Sequence, residues 1–407
     1  MDLKVQAFSD VGRQRSQNQD RVVALPRCGV FALSDGIGGK PGGEVASQMI
    51  VDAVEERAEA MARAAREYDA TVLEGREEVF SVLFDEVQAI NAAVYEAGRD
   101  EAFPRGIGAT LDLVVFGANG AYILHVGDSR VYLFRQGEVY RITQDHTFAE
   151  HLRANPELRG HGEPRLFSHI LTRSIGREPR VEPDRLYVDL IAGDRWLICS
   201  DGITDYFTGQ QLLDLLREAD EDRLAHHLVD AANAAGGKDN ASALIVELGN
   251  EFGEEFERGS TTQPDTLRRL NFIHQVDLFD GLGMQETLKL LRYVVTESVT
   301  SGDVVVRQGD PVDGLYLIMD GELEVRRGGE SLGRLADGGH FGEVGLFGAP
   351  MRSADVICRK PGHLLLLRTD DLRRLVEEEP ELGTKILWRL LEQAAGLIQK
   401  LSAQANS

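Results

Sequence analysis

Two Ser-Asp-Gly tripeptides, each closing a short apolar run, constrain the fold of this chain more than any other feature. The first ends in Asp35-Gly36 after residues 30–33, and the second ends in Asp201-Gly202 after residues 196–199. An apolar run that ends in Asp-Gly is typical of a buried strand with a carboxylate at its exposed end. The sequence therefore predicts two buried strands that each deliver an aspartate.

Asp20 and Asp239 extend this set to four aspartates. Carboxylates that are brought together repel one another unless cations neutralise them. All-oxygen ligands suit magnesium, manganese or calcium, and neither His nor Cys competes at these positions. The residues alone predict a hard-cation site that holds two ions.

Composition excludes several classes of partner. The 407 residues carry a net charge of −23, which disfavours nucleic acid and anionic membranes, although a local basic pocket can still bind an anion. Cys28, Cys199 and Cys358 are scattered, as expected of buried thiols in a reducing compartment. No signal peptide or bilayer-spanning run is evident, so we expect a cytoplasmic protein without a membrane partner.

The pattern of apolar residues predicts two folded parts joined by a linker. Residues 1–249 combine short strands with long amphipathic helices at 43–68 and 72–97, which indicates an α+β domain of layered sheets covered by helices. Residues 250–268 are acidic and then small and polar, as in a linker. Residues 269–407 contain short strands between glycine turns, a pattern typical of a small β-barrel or jelly roll.

Two further segments receive specific interpretations. Residues 146–183 are polar and irregular, which indicates a surface flap whose histidines, His146 among them, lie at the surface or beside substrate. The chain closes on an amphipathic helix at about 382–401, with Leu387, Leu390 and Leu391 among the residues of one apolar side. This helix fits either a dimer seam or an intradomain lid.

Six ordered blocks in the first part resemble the metal-dependent serine/threonine protein phosphatases of type 2C. They lie at residues 9–20, 35–39, 127–130, 171–176, 200–202 and 237–242. The resemblance implies an α-β-β-α sandwich and a phosphatase acting on phosphorylated Ser/Thr proteins, without a covalent intermediate. It implies that two Mn²⁺ or Mg²⁺ ions are held by Asp20, Asp35, the Gly36 carbonyl, Asp201 and Asp239. It also implies that Asp128 joins Asp201 on a weaker third ion and that Arg15 clamps the substrate phosphate.

The sequence departs from the family pattern at three positions. Gln19 stands where many relatives carry Glu, and Ile37 replaces the His that serves eukaryotic relatives as general acid, which indicates the bacterial branch. Lys40 occupies a position often held by His. The general acid stays open between Lys40 and a metal-bound water.

The second part resembles the cyclic nucleotide-binding domain of catabolite activator-type proteins and cyclic-nucleotide-dependent kinases. The resemblance rests on residues 309–310, 315–323 and 341–354. It implies that Glu343 accepts a hydrogen bond from the ribose 2′-hydroxyl and that Arg352 pairs with the cyclic phosphate. It implies that Gly342, Ser353 and Ala354 line the pocket, and it leaves cAMP and cGMP as alternatives.

Together these observations predict a phosphoprotein phosphatase regulated by a cyclic nucleotide. The chain stops after one helix, so a DNA-reading module of the catabolite activators is not expected. The alternative is a signalling scaffold whose C-terminal domain is a structural or dimerising module without nucleotide.

Overall fold

The computed structural model describes residues 3–37, 42–68, 73–118, 120–154, 167, 169–249, 266–343 and 351–405. The chain divides into two compact units, Met1–Gly259 and Ser260–Ser407. Residues 250–265 of the predicted linker lie outside the described residues, and its last three residues begin the helix Thr266–Ile273. The domain boundaries 1–249 and 269–407 stay a prediction. Within the described part of the chain, no helix is both long and apolar enough to cross a bilayer.

The first unit alternates strands with helices, as its apolar pattern predicts. The strands are β1 Leu3–Asp10, β2 Asp20–Leu25, β3 Val30–Asp35, β4 Leu111–Phe116, β5 Gly120–Val126, β6 Arg130–Arg135, β7 Glu138–Arg141, β8 Asp184–Asp189, β9 Arg195–Cys199 and β10 Ala241–Leu248. The helices are α1 Gly43–Glu67, α2 Leu73–Ala97, α3 Phe148–Ala154, α4 Asp201–Thr204, α5 Gln210–Glu218 and α6 Leu224–Ala235. The strands form two antiparallel sheets, β1-β10-β9-β6-β7 and β2-β3-β4-β5-β8.

The two sheets pack face to face and carry helices on their outer faces. Between them Phe116 makes edge-to-face contacts with Phe31 and Trp196, at ring centroid distances of 5.2 and 5.8 Å. Burying one such aromatic side chain stabilises a fold by roughly 1.5–3 kcal/mol. Helices α1 and α2 cover the outer face of the β2–β8 sheet, and α5 and α6 cover the other sheet. This α-β-β-α sandwich confirms the predicted fold class.

The second unit is a small antiparallel roll flanked by helices. Its strands are β11 Val294–Val299, β12 Val304–Val306, β13 Gly314–Arg327, β14 Glu330–Ala336, β15 His340–Phe341 and β16 Asp355–Arg368. Its helices are α7 Thr266–Ile273, α8 Met284–Leu291, α9 Thr369–Glu378 and α10 Pro380–Ala405. The sheet order is β11-β16-β13-β14, with β12 on β16 and β15 on β13. This antiparallel roll confirms the β-sheet architecture that the sequence predicts for the second part.

The apolar side predicted for the last helix is wrong in part. Leu382, Ile386 and Leu390 are buried, whereas Leu391 is 50% exposed and Trp388 is 65% exposed. Residues four apart share one face of a helix, and Leu391 lies about 100° around the helix from Leu390. The buried side of α10 therefore runs through Leu382, Ile386 and Leu390 and leaves Leu391 outside.

Candidate functional site

Asp20 and Asp35 are brought together by the β2–β3 hairpin. The two aspartates face each other at one end of this antiparallel pair. The backbone N–H of Asp35 donates to Thr110 Oγ1 at 2.9 Å, and the Thr110 N–H donates to the Asp35 carbonyl at 2.8 Å. Register fixes the face of every side chain in a hairpin, so the pairing itself places both carboxylates at this end.

Serine hydroxyls hold the Asp20 carboxylate, which is 2% exposed. Ser200 and Ser242 each donate to Asp20 Oδ2 at 2.7 Å. Since Ser242 uses its hydroxyl proton on Asp20, Ser9, at 2.6 Å, donates to the Ser242 oxygen. Asp20 Oδ1 is buried and has no hydrogen-bond partner among the described residues.

Asp201 enters the site from the other sheet. It follows strand β9 and opens the short helix α4, with Ser200 as its N-cap residue. Gly202 is required there, because a side chain would collide with the Asn240 carbonyl. Asp201 Oδ1 is also buried without a described hydrogen-bond partner. Two carboxylate oxygens of the site, one from each sheet, are thus left unpaired.

Asp239 and Arg15 lie at the more exposed side of the site. Arg15 Nη2 donates to Asp239 Oδ2 at 2.6 Å, and the two side chains are 39% and 33% exposed. The side chain of Asn240 connects this region by three hydrogen bonds. Its Oδ1 accepts from the Gln19 N–H at 2.8 Å. Its Nδ2 donates to the carbonyls of Val11 and Gln17 at 2.8 and 3.0 Å. The loop that carries Arg15 is therefore tied to the residue beside Asp239.

The electrostatics of the site show that its aspartates are neighbours. Burial, followed by repulsion from Asp20, Asp201, Asp128 and Asp239, raises the pKa of Asp35 well above its ordinary value. Burial and repulsion from Asp128 and Asp239 do the same for the pKa of Asp201. Burial and then the Asp145 carboxylate raise the pKa of Asp128 to about 7.

Divalent cations fit this donor set. Among the described residues, no three His, Cys, Asp or Glu side chains are grouped, as they stand, so that they could hold a metal ion. The carboxylates are instead close enough to repel one another, and the Oδ1 atoms of Asp20 and Asp201 are unpaired. The Gly36 backbone packs against Gly43 so closely that a side chain would collide with it. Carboxylate and carbonyl oxygens are the ligands that Mg²⁺ and Mn²⁺ prefer.

Of the three positions that depart from the family pattern, the structure describes two. Gln19 Nε2 donates to Glu44 Oε2 at 2.8 Å, so the amide at this position contacts a carboxylate of helix α1. Ile37 ends a described segment, and Lys40 lies outside the described residues. The general acid stays open.

The interpretation of His146 as a surface or substrate-adjacent residue is wrong. His146 is 6% exposed, and its backbone N–H donates to the Gly127 carbonyl at 2.6 Å. Its Nδ1 accepts from the Gly127 N–H at 3.2 Å, and burial lowers the pKa of His146 to about 4. His125 packs against it, with ring centroids 4.6 Å apart. A neutral buried imidazole therefore supports the turn that presents Asp128.

The raised carboxyl pKa values predict a pH-dependent stability for the metal-free protein. A carboxyl whose pKa is raised by folding binds more protons when folded, so folding stability falls as pH rises towards that pKa. The lowered pKa of His146 acts in the opposite direction but only below about pH 6.5. We therefore expect the melting temperature in EDTA to fall between pH 6.5 and 8, by about 2–4 °C for each kcal/mol lost.

Differential scanning calorimetry with and without Mn²⁺ checks this expectation. Saturating Mn²⁺ should raise the melting temperature more at pH 8 than at pH 6.5, since bound carboxylates must be deprotonated. Asp35→Asn should weaken the pH dependence in EDTA. A melting temperature that stays constant or rises over this range in EDTA would contradict the prediction.

The predicted nucleotide pocket gathers residues from the start of β13, from the segment just after β15 and from the segment just before β16. Arg352 is 7% exposed, donates to the Gly314 carbonyl at 3.0 Å and pairs with Asp313. Its guanidinium carbon lies 5.5 Å from the centroid of the Tyr316 ring. Gly342, at φ +100°, approaches the guanidinium so closely that a Cβ would come within 2.5 Å of Nη1.

Two polar groups of this pocket have no described partner. Glu343 Oε2 and Arg352 Nε are buried and make no hydrogen bond among the described residues. Ala354 is buried, whereas Ser353 is exposed, and residues 344–350 lie outside the described part. The predicted helical turn at 342–347 therefore lies largely outside it as well. A buried carboxylate oxygen and a buried guanidinium nitrogen that both lack a described hydrogen-bond partner fit a polar anionic ligand.

Sequence reasoning missed several residues that organise these sites. Ser200, Ser242 and Asn240 hold the first site, and Asp313 holds Arg352. Ser200 and Asn240 directly neighbour the predicted aspartates in sequence, and polar residues in such positions often form hydrogen bonds that orient the site residues. Asp313 stands four residues after Gly309 and carries no comparable signal.

Comparison with known proteins agrees with both family resemblances. Residues 12–241 match the family model of protein phosphatase 2C, and residues 296–379 match the cyclic nucleotide-binding domain. The chain is similar to the serine/threonine protein phosphatase PstP of Mycobacterium tuberculosis, with 35% identity over 250 residues, which is 60% of this chain and 45% of PstP. It thus spans less than half the length of that relative.

Other relatives are matched over their whole length. Protein phosphatase PhpP of Streptococcus pneumoniae is 34% identical over 260 residues, covering 62% of this chain and 100% of PhpP. The solved catalytic domain of PstP in complex with two manganese ions is 32% identical, with a TM-score of 0.51, and covers 61% of this chain and 99% of that structure. The chain therefore belongs to the protein phosphatase 2C family and carries a cyclic nucleotide-binding domain after its phosphatase domain.

Proposed function

We propose that this protein is a cytoplasmic, Mn²⁺- or Mg²⁺-dependent phosphatase of phosphoserine and phosphothreonine in proteins, regulated by a cyclic nucleotide. One observation carries the proposal: aspartates from two sheets converge, raise one another's pKa values and leave buried oxygens unpaired. The names of PstP and PhpP and the manganese-bound PstP structure support the same activity.

The resemblance to the phosphatase family and the convergence of the aspartates support a proposed ligand set. We assign two ions to Asp20, Asp35, the Gly36 carbonyl, Asp201 and Asp239, and a third to Asp128 with Asp201. When bound, such ions would lower the pKa of a nearby water and stabilise the attacking and leaving oxygens of phosphate transfer. The chain itself holds Asp20 through Ser200 and Ser242, so this carboxylate is oriented before any ligand arrives.

Release of phosphate from a phosphothreonine peptide tests the proposal most directly. We expect turnover with Mn²⁺ and its loss in EDTA, followed by recovery when excess Mn²⁺ is returned. Undiminished turnover in EDTA would remove the metal-dependent assignment.

Arg15 is proposed to bind the substrate phosphate. It uses one N–H group on Asp239, and a guanidinium has five, so a second edge remains for a phosphate. Arg15→Ala should lower kcat/KM by about 10–100-fold, since a charge-assisted bidentate contact contributes roughly 1.5–3 kcal/mol. Mn²⁺ affinity should change little, and Arg27→Ala, in the turn at the far end of the β2–β3 hairpin, serves as the control. A loss of Mn²⁺ affinity comparable to the loss of turnover would give Arg15 a structural role instead.

The second unit is proposed to bind cAMP or cGMP. Arg352 supplies the charge for the cyclic phosphate, and Glu343 has a free oxygen for the ribose 2′-hydroxyl. Gly342 lets the backbone approach Arg352, while Ser353 and Ala354 border the same arginine. Coupling between two sites in one protein is typically worth ~1–3 kcal/mol, so the nucleotide is expected to change turnover by about 5–150-fold.

Two observations favour a scaffold function. Trp388 and Leu391 expose apolar surface on helix α10, and Arg352 already has an internal partner in Asp313. If the second unit is a partner-binding or dimerising module, the protein associates through α10 and its turnover is unaffected by cyclic nucleotide. Sedimentation of wild type and Trp388→Glu, with and without cAMP, distinguishes the two functions.

A further inference from the structure

The rim of the carboxylate site carries basic side chains that the proposed reaction does not use. Arg13 and Lys238 are both exposed. The Arg13 N–H donates to the Gly237 carbonyl at 2.7 Å, and a Cβ at Gly237 would come within 2.6 Å of Arg13 Cγ. Lys238 is the next residue and directly precedes Asp239. Arg13 and Lys238 therefore lie on neighbouring backbone segments, two residues before Arg15 and one residue before Asp239.

Neither of these cations is neutralised by the described residues. In that part of the chain, no carboxylate forms an ion pair with Arg13 or Lys238, whereas Arg15 pairs with Asp239. The nearby Asp10 Oδ1 accepts from the Gly12 N–H and from Asn233 Nδ2, both at 2.9 Å, and no ion pair among the described residues joins Asp10 to either cation. Two unpaired positive charges at one edge are notable in a chain whose net charge is −23.

Arg13 and Lys238 lie where they could contact the peptide residues that flank the phosphorylated side chain, rather than the phosphate itself. An extended peptide advances about 3.3 Å per residue, so residues one or two positions from the phosphorylated side chain pass within reach of long side chains beside Arg15. Exposed complementary charges contribute to selection and to the rate of encounter more than to tight binding. Carboxylates in these flanking positions are the groups that Arg13 and Lys238 fit.

We propose that Arg13 and Lys238 select phosphorylated segments that carry Asp or Glu beside the phosphoserine or phosphothreonine. This inference rests on the proposed phosphatase function and assigns its substrate class. The strongly acidic remainder of the chain repels acidic proteins in general, so the basic rim orients such a substrate with its acidic flank towards residues 13 and 238.

The test compares three phosphothreonine peptides that differ only in flanking Glu, Gln or Lys residues. With Mn²⁺ at low ionic strength, wild type should hydrolyse the Glu peptide with a kcat/KM roughly five- to ten-fold above that of the Gln peptide, as expected for one or two exposed charge pairs. The preference should shrink as salt is added, because exposed charges are screened. The double variant Arg13→Glu with Lys238→Glu should prefer the Lys peptide, a gain that misfolding cannot produce. Arg27→Glu reverses an exposed charge at the far end of the β2–β3 hairpin and should keep the wild-type order.

The outcomes separate this inference from the function on which it rests. If wild type hydrolyses p-nitrophenyl phosphate with Mn²⁺ but treats the three peptides alike, the inference is wrong and the phosphatase function stands. Retention of the wild-type preference by the double variant also overturns it. If p-nitrophenyl phosphate and all peptides resist hydrolysis with Mn²⁺, the proposed function fails and the inference fails with it.

Discussion

Asp35→Asn and Asp201→Asn are each expected to lower turnover of phosphothreonine peptides by about 10³-fold with saturating Mn²⁺, since ligated cations supply several kcal/mol of transition-state stabilisation. Both carboxylates have pKa values raised by burial and by neighbouring aspartates. Replacing one carboxylate with a neutral amide removes a cation ligand and, at the same time, removes repulsion. Each variant should therefore unfold in EDTA at or above the wild-type temperature while losing activity.

This combination distinguishes loss of a ligand from loss of the fold. Asp85→Asn, on the exposed face of helix α2, is the matched control and should retain turnover and melting temperature. Phosphate release and calorimetry are measured on the same preparations. Wild-type turnover in both site variants, or a sharp drop of their melting temperatures in EDTA, would contradict the assignment.

Arg352→Ala is expected to weaken cyclic nucleotide binding by about 10²–10³-fold. Removing one partner of a buried, hydrogen-bonded charge pair typically costs 2–5 kcal/mol, because the other charge is left unpaired. Arg352 is 7% exposed and faces the Gly342 backbone, so its loss removes a buried charge that is proposed to meet the cyclic phosphate. Isothermal titration of cAMP and cGMP into the full chain measures the loss.

Arg334→Ala provides the control for this experiment. Arg334 pairs with Glu322 on the same sheet but is 68% exposed, so its removal should leave nucleotide affinity unchanged. Equal affinity of wild type and Arg352→Ala would reject the pocket. The absence of heat with millimolar nucleotide and folded wild type would favour the structural module.

The parts of the fold that depend on local apolar pattern could be predicted from the sequence. The apolar run 30–33, predicted to be a buried strand, lies in strand β3, because a short apolar run buried on both faces has few other solutions. Strand β2 was not predicted, although it contains Asp20. Its six residues follow a polar stretch, and only Asp20 and Val23 are buried, so its pattern is weak.

The supporting contacts of the sites could not be predicted in the same way. Ser242 and Asp20 are 222 residues apart, and their 2.7 Å hydrogen bond depends on the contact between two sheets. The pairing of Arg352 with Asp313 depends on a separate long-range contact, the bridge between Pro311 and Met351, beside which the Arg352 N–H donates to the Asp310 carbonyl at 2.7 Å. Asp35 and Arg352 could be proposed because a family pattern marks them. Their roles stay predictions until they are measured.

The pairing of strand β1 with strand β10 has a consequence for synthesis of the protein. Leu3–Asp10 pairs along its whole length with Ala241–Leu248, and β1 stands at the edge of its sheet. During translation at 5–20 residues per second, the first strand therefore waits on the order of 10–50 s for its neighbour to be made. Asp239 immediately precedes that neighbour, so the carboxylate set is completed in the same interval. A nascent chain consequently has neither the complete β1-β10-β9-β6-β7 sheet nor the complete set of aspartates until nearly all of the first unit has left the ribosome.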